Sequence, residues 1–316
     1  MHPVEVIGLS KNYGDLTAVR EVSFHIADGE IFGLLGPNGS GKTSTINMLT
    51  GLSAPDAGTV AICGADPLQD PRDARKRMAL VPDESNLYED MDGISNLIFC
   101  SALYGIRRKD SEPLARSMIG RFGLEEAGNR PFRSYSKGMK RRLTIAAALM
   151  VSPKVLLLDE PTTGIDVESS LFIRREISKL RDAGVAVLLT THNIEEAESL
   201  CDRVAFIVEG SIIKTDSVEG LLGGREREVM LRLSLDSGPA RLIDPLKIAF
   251  PQLVFQPLPP KGLNVSVPRG HNISALVSAL DDMGVAVLEV RAERPTLQEV
   301  FIRVTGLIGG VQGDEV

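Results

Sequence analysis

The stretch "GLLGPNGSGKTST", Gly33 to Thr45, decides the reading of this chain. Its centre, "GPNGSGKT" from Gly36 to Thr43, matches the pattern G-x-x-x-x-G-K-[ST] in full. The short apolar run Ile31–Leu35 leads into it, and a helical pattern follows. Gly36, Gly39 and Gly41 allow the backbone to curl so that its N–H groups point inward at phosphate oxygens. Lys42 is placed to reach the outer phosphates, the Thr43 hydroxyl to ligate a divalent cation, and the helix N-terminus adds partial positive charge. Gly36, Pro37, Asn38, Gly39, Ser40, Gly41, Lys42, Thr43 and Ser44 are therefore the candidate nucleotide-binding residues of this loop.

A second stretch supplies the carboxylates such a loop needs. "VLLLDEP", Val155 to Pro161, is an apolar strand that ends in Asp159 and Glu160. Asp159 is placed to hold Mg²⁺ and Glu160 to polarise the attacking water as general base. Two carboxylates ending a buried strand are costly unless something needs them. No Asn-Lys-x-Asp guanine-reading motif is found in the sequence.

Working outward, the chain up to about Leu222 alternates short β-branched runs with helical stretches, the mark of an α/β domain. Val4–Leu9, Val22–Ile26 and Thr59–Cys63 have period-two patterning and predict an antiparallel layer. Ile31–Leu35, Met78–Val81, Val155–Leu158 and Ala186–Leu189 read as buried strands of a parallel sheet. Residues 84–150 predict a helical lobe, with Ile94, Leu97, Ile98, Ser101 and Ala102 on one face of a helix. "NIEEAESLC" places Asn193 and Glu196 in a capping-box spacing. Lys140–Arg142 reads as solvated helix surface.

"LLGGREREV", Leu221–Val229, is the expected boundary, giving domains 1–222 and 223–316. The second domain reads as strand Glu228–Leu235, helix Ala240–Phe250, strands Leu253–Pro257 and Leu263–Val267, helix Ile273–Met283 and strand Val285–Val290. This β-α-β-β-α-β order is that of a ferredoxin-like unit, here followed by a helix at Thr296–Val304. The expected fold class is thus an α/β nucleotide-binding core with an antiparallel layer and a helical lobe, then a small α+β domain.

Composition narrows the setting. With 316 residues, 43% hydrophobic and 24% charged, the chain has the make-up of a soluble globular protein. No apolar stretch approaches the ~18 residues that span a bilayer, and the start "MHPVEVIGLS" lacks a signal-peptide pattern. A cytosolic chain is expected, whose membrane role needs a spanning partner. Cys63, Cys100 and Cys201 are isolated from one another and read as buried structural thiols. A net charge of −7 gives no broad attraction to nucleic acid, and no nucleic-acid partner is expected.

Together these motifs resemble the ATPase subunit of an ATP-binding cassette (ABC) transporter, over about Val4 to Leu222. "YSKGMKRRL", Tyr135 to Leu143, stands where the family has its signature, so that Ser136, Lys137, Gly138 and Met139 would face an opposite subunit's ATP. Tyr13 resembles the aromatic that stacks on adenine, Asp166 in "TGID" the loop that crosses between subunits, and His192 in "TTH" the γ-phosphate-sensing histidine. The resemblance implies ATP and Mg²⁺ as ligands, with Lys42, Glu160 and His192 acting in hydrolysis. It also implies a head-to-tail pair of cassettes, a homodimer being expected, attached peripherally to the cytoplasmic side of the membrane. "RPTLQEVFIRVTG", Arg294 to Gly306, resembles the end of cassettes from drug- and lipid-exporter-like ABC-2 systems, implying a separate transmembrane permease.

Three positions depart from the family pattern. Asp83 in "ALVPDES" stands where a glutamine is usual and is a candidate metal ligand. Lys137 replaces the first signature glycine and Met139 its glutamine. The alternative class, a soluble ABC ATPase acting on nucleic acid or the ribosome, calls for long coiled-coil insertions or tandem cassettes, and the sequence has neither. A regulatory nucleotide-binding module without turnover would not need Glu160.

Overall fold

A computed structural model describes residues 2–224, 228–268, 270–293 and 296–306. The chain divides into two compact units, the second being Glu219–Arg303, which starts a few residues before the boundary expected after Leu222; from Val304 the described chain groups with the first unit. Arg225–Arg227 of the expected boundary and Arg294–Pro295 of the tail motif lie outside the described residues.

In the first unit, β1 (Val4–Tyr13), β2 (Leu16–Ile26), β3 (Ile31–Leu35), β4 (Ala57–Ile62), β5 (Met78–Val81), β6 (Val155–Asp159), β7 (Ala186–Thr191), β8 (Arg203–Val208) and β9 (Ser211–Ser217) form two sheets. The smaller has the order β2-β1-β4, antiparallel throughout, as the alternating patterns predict. The larger has the order β5-β6-β7-β3-β8-β9, parallel except for the last pair. Phe24 from the small sheet stacks on Phe32 from the large one with centroids 5.1 Å apart, so one apolar core joins both layers. The hairpin β8–β9 escapes the sequence reading. Its turn, Glu209–Gly210, has φ of 49° and 80°, the left-handed pair that a two-residue hairpin loop requires.

The helices are α1 (Lys42–Leu49), α2 (Pro71–Arg77), α3 (Gly93–Leu103), α4 (Arg108–Arg121), α5 (Lys137–Leu149), α6 (Val167–Asp182) and α7 (Ile194–Leu200). On α3 the buried set is Gly93, Asn96, Leu97 and Ser101, whereas Ala102 is exposed and Ile94 and Ile98 are only half-buried. The predicted apolar face is thus rotated by a polar residue. Asn96 donates to the carbonyls of Tyr88, Met91 and Asp92 and accepts from the Tyr88 N–H at 2.9 Å, which ties the preceding turn to the helix. Such a side chain is buried because every polar atom is answered.

The second unit holds β10 (Glu228–Leu235), β11 (Val254–Leu258), β12 (Gly262–Pro268) and β13 (Val287–Glu293), with helices α8 (Ile243–Ala249) and α9 (Ser274–Asp282). The sheet order β11-β12-β10-β13, all antiparallel, is the ferredoxin-like arrangement expected from the element order. The first helix is shorter than expected because Pro239–Arg241 forms a separate 3₁₀ turn. α10 (Leu297–Thr305) opens with a capping box, Glu299 N–H to Thr296 Oγ1 at 3.2 Å and Thr296 N–H to Glu299 Oε2 at 3.0 Å.

Candidate functional site

Parallel strands place their ligands at their carboxyl ends. Here β3 runs into the glycine-rich loop, β5 into Asp83, β6 ends at Asp159 and β7 delivers His192. A cavity of about 690 Å³ opens at this edge, lined among others by Tyr13, Asn38, Gly39, Gly41, Lys42, Thr43, Ser44, Asp83, Asp159 and Glu160. Residues separated by more than a hundred positions in sequence are thereby brought to one place.

The loop's glycines differ in why they are needed. A Cβ at Gly36 would lie 2.1 Å from the Ile207 carbonyl oxygen, so the constraint there is space. Gly41 has φ 102° and caps α1 without a side chain, leaving the first N–H groups of the helix free for an anion. Lys42 is buried, and its Nζ donates to the carbonyls of Gly36 at 2.8 Å and Pro37 at 3.0 Å, 3.5 Å from Glu160 Oε1. Thr43 Oγ1 donates to Asp159 Oδ2 at 3.0 Å, and Thr190 Oγ1 donates to Asp159 Oδ1. Ser40 Oγ is buried and finds no hydrogen-bond partner among the described residues. Hard oxygens from Thr43 and Asp159, an orphaned hydroxyl and a free helix N-terminus suit a phosphate chain with a hard divalent cation.

Glu160 is held from several sides. Its φ of 47° is left-handed, a conformation that costs a non-glycine residue about 1–3 kcal/mol. Its N–H donates to the Thr190 carbonyl at 3.0 Å. Its carbonyl accepts from Arg141 Nη2 at 3.2 Å and from the Thr163 N–H at 3.3 Å. Carboxylate Oε2 accepts from Thr163 Oγ1 at 2.9 Å and lies 2.9 Å from His192 Nδ1. In a bond to a carboxylate oxygen Nδ1 is the donor, since the carboxylate can only accept.

Arg141 corrects the sequence reading of Lys140–Arg142 as solvated surface. Its side chain is only 7% exposed; Nη1 donates to the Pro82 carbonyl, and Nη2 to the Asp83 carbonyl and carboxylate, the latter at 3.4 Å. Arg142 reaches Ser169 Oγ at 3.1 Å and lies over the Phe172 ring, while Lys140 pairs with Glu89 at 3.2 Å. The legible signal was spacing: Gly138, Arg141 and Ile145 follow i, i+3, i+7 on the buried face of α5. Burial pushes the Asp83 carboxyl above the usual carboxylate range against the pull of Arg141, and the charges of Asp159 and Glu160 push it the same way.

Two further groups have roles other than the sequence suggests. Glu196 does not return to cap Asn193; only half of the capping box forms, with Asn193 Oδ1 accepting from the Glu196 N–H at 3.1 Å. The Glu196 carboxyl is instead buried, accepting from Thr162 Oγ1 at 2.6 Å, and burial pushes it above its ordinary range. Thr190, which fixes Asp159, sits on the strand before His192.

The signature residues stand apart, since neither Ser136, Lys137, Gly138 and Met139 nor Asp166 lines the cavity. α5 begins at Lys137, with Ser136 Oγ accepting from the Met139 N–H at 3.2 Å. That hydroxyl keeps its own proton to donate outward. Gly138 faces inward, where a Cβ would meet Ser169 Oγ at 2.2 Å and Asp166 Oδ2 at 2.8 Å. Asp166 caps α6, accepting from the Ser169 N–H at 2.8 Å, and that bond holds its carboxyl below the usual range.

A glycine-rich phosphate loop on a parallel sheet, with Asp159 and Glu160 on the strand two places away, defines a P-loop nucleotide-binding ATPase. Comparison with known proteins agrees. The family profile described as ABC transporter matches residues 19–163. The chain is 34% identical over 310 residues to the daunorubicin resistance ATP-binding protein DrrA3 of Streptomyces coeruleorubidus, covering 96% of each. It is 41% identical over 219 residues to the Nod factor export ATP-binding protein I of Paraburkholderia xenovorans (strain LB400), covering 69% of this chain and 72% of that one. A solved structure described as the ATP binding subunit of an ABC transporter superposes with a TM-score of 0.64 at 28% identity, covering 69% of this chain and 91% of that chain. The chain belongs to the ABC transporter family, as its ATP-binding, ATP-hydrolysing subunit.

Proposed function

We propose that the protein hydrolyses Mg²⁺-bound ATP as one of two cassettes clamped head to tail, and that the closing of this pair drives export through a separate ABC-2-like permease. The observation that carries this reading is the convergence of Lys42, Thr43, Asp159 and Glu160 on one cavity. Thr43 and Asp159 would hold the cation, which would supply neutralising charge to the phosphates. Lys42 turns from the loop carbonyls to the outer phosphates, and Tyr13 at the cavity wall stacks on the base. Glu160 takes the proton of the attacking water while His192, at its carboxylate, fixes its orientation and senses the γ-phosphate. Asp83 lines the same cavity and would add a further carboxylate oxygen toward the cation.

The outward-facing Ser136 hydroxyl and the N-terminus of α5 then serve the partner's nucleotide, with Lys137 beside them and Asp166 at the crossing loop. The names of the relatives, which speak of drug resistance and export, support export over import. Among the described residues no helix is long and apolar enough to cross a membrane, so the permease supplies the passage and this subunit docks on its cytoplasmic face. The docking surface is the lobe beyond Asp83, where Tyr88 and Leu103 are exposed beside a groove lined by Leu80, Leu87, Cys100 and Tyr104. The C-terminal unit is an accessory domain.

The test is Glu160→Gln. The amide cannot accept the water's proton, while Lys42, Thr43 and Asp159 still bind the nucleotide. The variant is expected to accumulate as an ATP-bound dimer in size-exclusion chromatography. A variant that stays monomeric with saturating ATP and hydrolyses it at the unmodified rate overturns the reading.

A further inference from the structure

The most unusual side chain near the site is one that no motif claims. Arg141 is buried, yet its only carboxylate partner among the described residues is Asp83, a 3.4 Å contact to a side chain that is 55% exposed. Its other bonds go to main-chain carbonyls, those of Pro82 and Asp83 after β5 and that of Glu160 after β6. A buried guanidinium is costly to desolvate, and here it spends its donors on backbone from two separate strand ends. Those two segments carry the two acidic groups whose placement matters most in the cavity.

Each contact has a distinct consequence. The Glu160 peptide is left-handed and is held by its N–H on Thr190 and its carbonyl on Arg141 and Thr163. Releasing one of these lets the residue relax toward an ordinary conformation, which turns the carboxylate away from its present line. Asp83, for its part, shares the cavity with Asp159 and Glu160, so an unscreened third carboxylate would repel phosphate oxygens wherever no cation lies between.

We propose that Arg141 is a positioning residue of the hydrolytic site, pinning the Glu160 backbone that aims the base and masking the charge of Asp83 toward the phosphates. The inference rests on the reading of Glu160 as base and of Asp159 and Thr43 as cation ligands. Because Arg141 lies on α5, it also ties the signature helix to the segment that leads into the lobe. Only an arginine suits the place, since a planar fork with five donors can serve three carbonyls and a carboxylate where an ammonium or an amide cannot.

The experiment uses the full chain with R141Q, R141K, D83Q and the double variant R141Q/D83Q. Two quantities are read: kcat and KM for ATP hydrolysis, and the ratio of dissociation constants of a fluorescent ATP analogue in EDTA and in MgCl₂. R141Q and R141K should each lower kcat by about tenfold or more, with KM changed by less than about threefold, as loss of an aimed base requires. R141Q should raise the binding ratio roughly fivefold, the equivalent of one poorly screened like charge in a partly wet site. R141K, which keeps the positive charge, should leave the ratio unchanged. In the D83Q background nothing remains to be masked, so adding R141Q should no longer move the ratio while kcat stays low. An equal change of the ratio in both backgrounds overturns the masking role, and a kcat for R141K within about twofold of the unmodified protein overturns the positioning role. R141K decides the second point even if R141Q does not fold. If E160Q hydrolyses normally, the reading of the base fails; if E160Q is inactive and both Arg141 variants turn over normally, this inference alone fails.

Discussion

Gly138→Ala separates two roles that a signature glycine can have. Its ideal Cβ would lie 2.2 Å from Ser169 Oγ, 2.7 Å from Ser169 Cβ and 2.8 Å from Asp166 Oδ2. Rotating Ser169 about χ1 removes the first contact and gives up the bond from Arg142, but the second stays, because Cβ does not move with χ1. α5 and α6 must therefore separate by several tenths of an ångström, at a cost of about 1–3 kcal/mol typical of overpacking. For a unit of this size that lowers the melting temperature by roughly 2–12 °C. The assay is thermal unfolding without nucleotide, so that no partner subunit is involved. Ser169→Ala removes the hydroxyl contact only, and the double-mutant cycle of G138A with S169A should show favourable coupling of about 0.5–1 kcal/mol. If G138A melts with the unmodified protein yet loses ATPase activity, the packing account is wrong and the glycine is needed only for what it presents to another subunit.

Phe32→Ala, which empties the stacked pair between the two layers, should cost about 3–5 kcal/mol in urea unfolding. Gly36→Ala meets a main-chain oxygen at 2.1 Å that cannot swing aside, so nucleotide affinity measured by equilibrium binding should fall with the displaced loop. Asn96→Ala leaves the Tyr88 N–H and three carbonyls to find other partners and should destabilise by ~1–3 kcal/mol, read by chemical denaturation. Burial raises the thiol pKa of Cys63, Cys100 and Cys201, so alkylation of the native protein should rise only above the usual thiol pH range, with Cys201 labelled last by mass spectrometry.

The strands and loops that hold phosphate were readable because their constraints are local. A buried parallel strand is a short apolar run, and Ile31–Leu35 and Met78–Val81 match the observed strands residue for residue. The phosphate loop carries its chemistry in consecutive positions. What escaped depends on tertiary partners. A sequence shows Arg141 inside a basic run, and only the fold reveals that carbonyls from two other segments await it. Glu196 has the right spacing to cap its own helix, yet a buried hydroxyl on Thr162 wins its carboxyl. The predicted face of α3 went astray at Asn96, since hydrophobicity alone does not anticipate a fully answered polar core residue. β8 carried a signal, an apolar run before Glu209–Gly210, that the alternation of strands and helices masked.

The sheet order has a consequence for synthesis of the chain. β7 is made after β3, β5 and β6, yet it lies between β3 and β6. A nascent chain that has emerged only as far as Glu160 carries the phosphate loop and both strand-end carboxylates, but the strand that spaces them is still missing. Pairing β3 directly with β6 at that stage would close the gap that β7 must fill, and such non-local pairings form slowly. A cavity with this spacing therefore needs Ala186–Thr191 between β3 and β6, and its wall is completed by Glu209, which is made later still.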